Sequence, residues 1–334
     1  MTHPRGLRTG GFSLLEMMIA VAILSLISSM VFVVLSGQRK ALRGGVETMN
    51  VQEDSRLSLD TISFDTRNAG MLVPRQTAVA SVDGGATAAD RFCVSDGTYF
   101  PIPAAGVPDT FWDNLSARFQ GSTVIGVPTN SVVVNSLDVD GRGGAVDFVA
   151  RAGVILADAN GDRSYCSRIE TIDTGTTKRL NLASGHNVPT GLFTGTVIAV
   201  PAIVYEIVAT PTTTTLLRNG NPLSTQVEDL QVQYWIDVSP TDGVVGDARE
   251  WPIDDLNAVS PTVQDLTRIR RVRLHVIGRA QLPEDGATVQ ARYNYPGVAN
   301  RNEGTTFDSF KRQLFSASIL PRNLLESGEV PNVP

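Results

Sequence analysis

The chain has 334 residues, a formal charge of −6, and 19% charged against 42% hydrophobic side chains, enough apolar material for a packed core. Thirty glycines and 18 prolines against 6% aromatics favour turns and short strands over a helical bundle. No Lys/Arg-rich patch stands out beyond residue 43, which argues against a nucleic-acid partner, and two cysteines are too few for a disulfide scaffold or a zinc ribbon.

The first element is apolar. Met17 to Gly37 runs 21 residues without a charge. As an α-helix rising ~1.5 Å per residue, that run spans about 31 Å, the hydrocarbon thickness of a bilayer. Ahead of it lies MTHPRGLRTGG, basic through Arg5 and Arg8. A secretory signal would have a core of about 7–15 apolar residues followed by small ones, whereas here Gly10 and Gly11 precede the run. A plain signal anchor leaves Glu16 unexplained, because a carboxylate in hydrocarbon is costly and marks function. Arg39, Lys40 and Arg43 follow the span, so the basic residues on its two sides nearly balance and do not fix its orientation.

Gly11-Phe12-Ser13-Leu14-Leu15-Glu16 resembles the signal of type IV prepilins and type II secretion pseudopilins. The resemblance implies cleavage after Gly11 on the cytoplasmic side by the prepilin peptidase/methyltransferase. It implies methylation of the new N-terminal Phe12, and an assembly role for Glu16 through the amine of a neighbouring subunit. It also sets the expected place: inner membrane, single pass, N-terminus cytoplasmic and head periplasmic, then the pilus at the cell surface.

From Gln38 to Asn68 the sequence predicts a continuing helix, interrupted or kinked near Gly44-Gly45. Leu59, Ile62 and Ala69, with Leu57 and Phe64 as an i, i+7 pair, supply an amphipathic face for packing beneath a sheet. Gly70 suits a helix C-cap. Residues 72–200 are rich in Gly, Thr, Val and Asp. Ser131–Val134, Ala145–Val149 and Thr196–Val200 have the composition of short strands, with loops at Asp83–Thr87 and Phe100–Pro108. Beyond them come a strand at Val204–Ile207, a second at Leu216–Arg218, an Asn219-Gly220 turn signal, and alternating strands through Val227–Tyr234 and Ile269–Val276. The segments at about 10–70 and 200–280 are similar to PilW-type minor pilins, related to the J-type pseudopilin; about 72–200 falls outside the likeness, as a variable insertion would.

The expected fold is α+β: a long N-terminal helix, transmembrane then amphipathic, packed on a mainly antiparallel head, the type IV pilin fold. The expected divisions are a leader at 1–11, an assembly helix at 12–37, its amphipathic continuation at 38–70 and a β-rich head at 71–330. No nucleophile elbow, Walker sequence or zinc-protease motif is present, so no catalytic residue is assigned and the chain is not expected to be an enzyme. Asp158, Asn160, Asp162 and Ser164 put oxygen side chains at positions one, three, five and seven of a loop, the spacing of a calcium site and the one candidate cofactor. The loop departs from an EF-hand, with glycine at four and Ile169 at twelve, and an Asx turn accounts for the same residues. Cys93 and Cys166, both placed outside the cytoplasm, are a candidate disulfide.

The resemblance implies a structural minor pilin that helps prime or cap a type IV pilus. Its expected partners are other minor pilins, the major pilin, the inner-membrane assembly platform and a PilY-type tip adhesin. A J-type minor pseudopilin of type II secretion and a membrane-anchored ligand-binding or enzymatic module remain the alternatives. Mass spectrometry of the mature N-terminus is expected to find methylated Phe12, with the formal charge at −8 after Arg5 and Arg8 are lost. A mature chain retaining Met1 would contradict the assigned cleavage.

Overall fold

The computed structural model describes residues 13–97, 122–126, 130–139, 146–193, 195–210, 213–237, 253–256, 266–281, 293–305 and 308–324. Helix α1 (Leu14–Asn68) has 55 residues and is therefore about 82 Å long. From Leu14 to Leu35 its large apolar side chains are exposed, and this is the one described helix long and apolar enough to cross a membrane.

The expected interruption at Gly44-Gly45 does not occur; the helix runs through both glycines. Each costs only about 1 kcal/mol relative to alanine. Thr48 Oγ1 donates to the Gly44 carbonyl at 2.8 Å, and the following turns are held by packing against the head. The helix stops where expected. Gly70 has φ +81°, its N–H donates to the Ser95 carbonyl at 3.0 Å, and a Cβ there would lie 3.3 Å from both Ala78 Cβ and Leu324 Cδ2.

The buried face of α1 is Val51, Ser55, Ser58, Leu59, Ile62, Ser63 and Thr66, continued by Ala69 just past its end. Leu57 and Phe64, expected on that face, are 60% and 62% exposed. At about 100° per residue, Leu57 sits some 140° and Phe64 some 160° away from Ile62, so an i, i+7 pair of this kind marks the opposite side.

β1 (Val79–Val82) and β2 (Arg91–Val94) form a hairpin. β3 (Ser122–Gly126), β4 (Ser131–Val134), β5 (Gly153–Asp158), β6 (Ser164–Asp173), β7 (Arg179–Leu182) and the 13-residue β8 (Val197–Ala209) follow. They pair antiparallel in the order β8–β3–β4–β7–β6–β5, and β5 pairs back to β8, so six strands close on themselves. Closure removes the sheet edges that a small β-rich unit would otherwise expose. Alternation along β5 shows the two sides. Val154 and Leu156 pack with Val132, Ile169, Leu180 and Ala199, while Ile155 and Ala157 pack with Ala80, Cys93 and Val204.

Two expected strands, Thr196–Val200 and Val204–Ile207, are parts of the single strand β8, which runs through Pro201. The 200 boundary of the expected insertion therefore falls inside a strand. Residues 146–149 of the expected Ala145–Val149 strand are irregular. Their backbone is drawn elsewhere: the Asp147 N–H donates to the Leu137 carbonyl at 3.0 Å, and its carboxylate accepts the Val139 N–H at 2.6 Å. The Phe100–Pro108 loop lies outside the described residues.

β9 (Thr214–Arg218) and β10 (Asn221–Ser224) meet at Asn219-Gly220, whose φ values of 51° and 70° are those of a type I′ hairpin. β11 (Val227–Ile236), β12 (Ile269–Arg279) and β13 (Arg312–Ile319) form a separate antiparallel sheet. Its inner face, with Val232, Tyr234, Val272, Leu274 and Val276, shares one core with Leu59 and Ile62 of α1 and with Phe92, Tyr205 and Leu216. The expected architecture, one long apolar helix packed on antiparallel sheets, is the observed one.

The helix passes closest to this sheet at Gly278. A Cβ there would lie 2.2 Å from Ser55 Oγ and 2.7 Å from Val51 Cγ1. The serine can rotate, but valine is stiff at χ1 in a helix. Gly278→Ala is expected to destabilise by about 1–3 kcal/mol, read as a lower urea midpoint, and Val51→Ala in the same chain is expected to recover part of the loss. Independent effects of the two substitutions would show that the close approach does not set the helix position.

Candidate functional site

Gly11 and Phe12 lie outside the described residues. Ser13 is the N-cap of α1: its Oγ accepts the Leu15 N–H at 3.3 Å, and its carbonyl accepts the first helical bond from Met17 at 3.1 Å. Glu16 is therefore the third helical residue, exposed, in the turn where free N–H groups and the helix dipole favour a carboxylate. Ser13-Leu14-Leu15-Glu16 has the spacing of a capping box, a signal present in the sequence and missed there. Glu16 thus has a local helix-starting role available in addition to the assembly role implied by the motif.

At its other end α1 is anchored by Asp65, which is buried. Tyr205 Oη donates a short hydrogen bond to Asp65 Oδ2, and Arg218 approaches the same oxygen at 3.0 Å through Nε and 2.9 Å through Nη2. Arg218 Nε also donates to Tyr205 Oη at 3.0 Å. Burial, then the adjacent Asp65 charge, pushes the Tyr205 hydroxyl well above its ordinary range, so it remains a donor. Three residues that are far apart in sequence, from the helix, β8 and β9, satisfy one another where any of them alone would be a costly buried polar group.

The structure joins Cys93 on β2 to Cys166 on β6 as a disulfide, with the Cα atoms 5.5 Å apart. Beside it, Arg91 donates to the Cys166 carbonyl at 2.9 Å and to Tyr165 Oη at 3.1 Å. Further along β6, Arg168 makes a short ion pair with Glu206, and His186 Nε2 lies 2.9 Å from the other Glu206 oxygen. The Arg168 N–H donates to His186 Nδ1 at 3.0 Å, so the ring bonds as a neutral imidazole with Nε2 protonated. Burial holds the His186 pKa below its ordinary value. Burial alone would raise Glu206, but the His186 hydrogen bond and the nearby arginines outweigh it and hold the carboxyl low.

His275 also acquires partners that spacing could not show. Its Nδ1 lies 2.7 Å from Ser316 Oγ and its Nε2 3.1 Å from Gln233 Oε1, linking all three strands of the second sheet. Burial, then the Arg273 charge, pushes its pKa down to about 4.

The 158–164 loop closes on itself. Asp158 is buried, its Oδ1 accepts the Asn160 N–H at 3.2 Å, and its carbonyl accepts the Gly161 N–H at 2.9 Å, with Gly161 at φ +81°. This is an Asx turn between β5 and β6. Ser164 is buried and Asp162 half-buried. Among the described residues no three His, Cys, Asp or Glu side chains group as a metal site would need.

Comparison with known proteins addresses the N-terminus directly. Residues 7–32 match the family model described as the prokaryotic N-terminal methylation motif. A comparison with curated proteins gives no match. Among solved structures, a type IV-like pilin from Thermus thermophilus matches with 13% identity, over 52% of this chain and 86% of that one, at a TM-score of 0.21. The chain carries a type IV pilin-like methylation motif on an apolar N-terminal helix suited to membrane anchoring.

The cystine closes a loop of 73 residues in sequence separation. Chain entropy predicts roughly 4 kcal/mol of stabilisation from such a closure. Non-reducing and reducing electrophoresis are expected to differ in mobility, Cys166→Ser is expected to abolish the difference, and two titratable thiols in protein isolated under thiol-blocking conditions would contradict pairing.

Proposed function

We propose that this chain is a PilW-type minor pilin, a structural subunit that helps prime or cap a type IV pilus together with other minor pilins and the major pilin. The observation that carries the reading is the methylation motif over residues 7–32 with Glu16 in the first turn of a helix that ends inside a folded head. The long helix leads from a membrane-suited half to a half locked into the head by Asp65, Tyr205 and Arg218. A rigid coupling of that kind suits a subunit withdrawn from the bilayer as one piece.

In this reading the peptidase cuts after Gly11, leaving Phe12 as the methylated N-terminus, cytoplasmic, with the head periplasmic. Glu16 makes hydrocarbon a poor final environment, because an unpaired carboxylate there must be neutralised or paired. The Phe12 amine of a neighbour would pair it in the filament. The assembly platform and a PilY-type tip adhesin are the further partners this role requires. The function is structural rather than catalytic. A calcium ion at Asp158, Asn160, Asp162 and Ser164 would be a local stabiliser, tested by whether added calcium raises the melting temperature.

Glu16→Ala keeps a strong helix former at the position. Membrane insertion and cleavage after Gly11 are expected to persist, while the processed protein accumulates in the inner membrane and is depleted from sheared filaments. Glu16→Gln is expected to behave the same way if ionic pairing is what matters. Normal incorporation and pilus number with Glu16→Ala would overturn the assembly role, and lost exoprotein secretion with intact pili would place the subunit in type II secretion instead.

A further inference from the structure

The second half of α1 opens with charges of one sign. Between Glu16 and Glu47 the sequence holds three cations, Arg39, Lys40 and Arg43, and no carboxylate, in a chain whose formal charge is −6. All three are exposed on the unbroken helix. Val51 is the first buried residue of α1 and marks the side that the head covers. At about 100° per residue, Lys40 lies some 20° from Val51, Arg43 some 80° and Arg39 some 120°, all in one sense of rotation. The cations therefore sweep from directly beneath the head round to one flank of the helix.

The head adds a fourth. Lys311 stands one residue before β13, where its carbonyl accepts the Ala280 N–H at 2.9 Å. Its Nζ lies 3.8 Å from the place a Cβ on Gly44 would take. Gly44 is about 20° from Val51 and one turn above Lys40, so the Lys311 ammonium comes down on the face that carries Lys40. Glu47, the first carboxylate beyond the apolar run, is half-buried and one turn further into the head.

The heights agree with a bilayer surface. When Met17–Gly37 fills the hydrocarbon, the Cα atoms of Arg39 and Lys40 stand about 3 and 4.5 Å beyond it, and those of Arg43 and Gly44 about 9 and 10.5 Å. The headgroup layer is about 5–7 Å deep, and long basic side chains extend into it while their stems stay outside. Four cations from two elements thus meet near the level of the lipid phosphates, in the notch between the bilayer and the base of the head. Like charges brought together at such a place favour an anion more strongly than any of them alone.

We propose that this notch binds the headgroup of an anionic phospholipid, its phosphate oxygens taken by Lys40 and Arg43 from the helix and by Lys311 from the head. A basic helix flank alone would attract the bilayer from one side. The contribution of Lys311 makes the site two-sided, so that the lipid fixes how high and at what tilt the head stands. The inference rests on the first half of α1 lying in a membrane and not on the pilin reading.

The test reconstitutes the full chain in phosphatidylcholine vesicles that carry spin-labelled phosphatidylglycerol or spin-labelled phosphatidylcholine. The motionally restricted fraction gives the relative association of the two lipids. Phosphatidylglycerol is expected to be preferred at least about fivefold, roughly what one surface cation contributes, and the preference is expected to weaken with salt. Lys40→Gln with Arg43→Gln is expected to bring it close to one, Lys311→Gln to lower it by at least half, and Arg56→Gln, an exposed cation higher on the same helix, to leave it unchanged. Flotation of the same vesicles separates the two readings. A chain that does not float with the vesicles would overturn the membrane placement and this proposal with it. A chain that floats without preferring phosphatidylglycerol would overturn the proposal alone, and an unchanged preference in Lys311→Gln would reduce the notch to an ordinary basic flank. Loss of the preference in glycerophosphate or hexaglutamate at constant ionic strength would also overturn it, by making the notch a small-anion or acidic-peptide site.

Discussion

The head depends on one stretch of helix, Leu59 to Thr66, lodged between two sheets. Ile62 is fully buried in the core shared by β11–β12–β13 and the β1–β2–β8–β9 layer. One turn on, Asp65 binds Tyr205 and Arg218. The apolar contact supplies most of the attraction, while the polar contact supplies direction, because a buried carboxylate is tolerated only where its donors converge. Sliding or rotating the helix would strand Asp65 without its partners and press Ser55 and Val51 into the backbone of Gly278. The helix position is thereby fixed both along and around its axis.

That constraint gives the two halves of α1 different physics. The first half is apolar on every side and exposed, so it needs an environment that the head does not supply. The second half buries a face of small and aliphatic side chains and leaves Leu57 and Phe64 outward. Thr66 shows how a polar residue is accommodated on the inner face. Its hydroxyl donates to the Ile62 carbonyl at 2.7 Å and so adds no unmet demand to the core.

β8 does for the sheets what α1 does for the head. Val197 and Ala199 lie inside the closed six-stranded unit, and Ile203 and Tyr205, on the same side of the strand, lie in the helix core. Its other side, with Val200, Ala202 and Val204, packs around the Cys93–Cys166 bridge. A second tie joins the β1–β2 hairpin to the other sheet: the Asp90 carboxylate accepts the N–H groups of Gly84 and Val232 at 2.9 and 2.8 Å. The central region and the helix-bearing layer are thus continuous through hydrogen bonds, one long strand and a covalent link.

Much of the fold was legible in local pattern, because its causes are local. A run of 21 uncharged residues points to a membrane-length helix, Asn219-Gly220 to a positive-φ turn, and the alternation in Val227–Tyr234 and Ile269–Val276 to strands, though Gln231 and His275 on their other face are buried as well. The Gly11-Phe12…Glu16 pattern was equally local. Other features depend on contacts between distant residues and leave no local trace. Asp65 finds Arg218 across 153 positions, and His275 finds Ser316 across 41. The ring closure of β5 onto β8 is of the same kind. Leu57 and Phe64 illustrate the limit from the other side: their hydrophobicity was visible, but which face the head would cover depended on where Gly278 lets the helix approach. The sequence by itself determined that there is a long helix and many antiparallel strands; tertiary structure decided which side of that helix is inside, because burial belongs to the partner surface as much as to the residue.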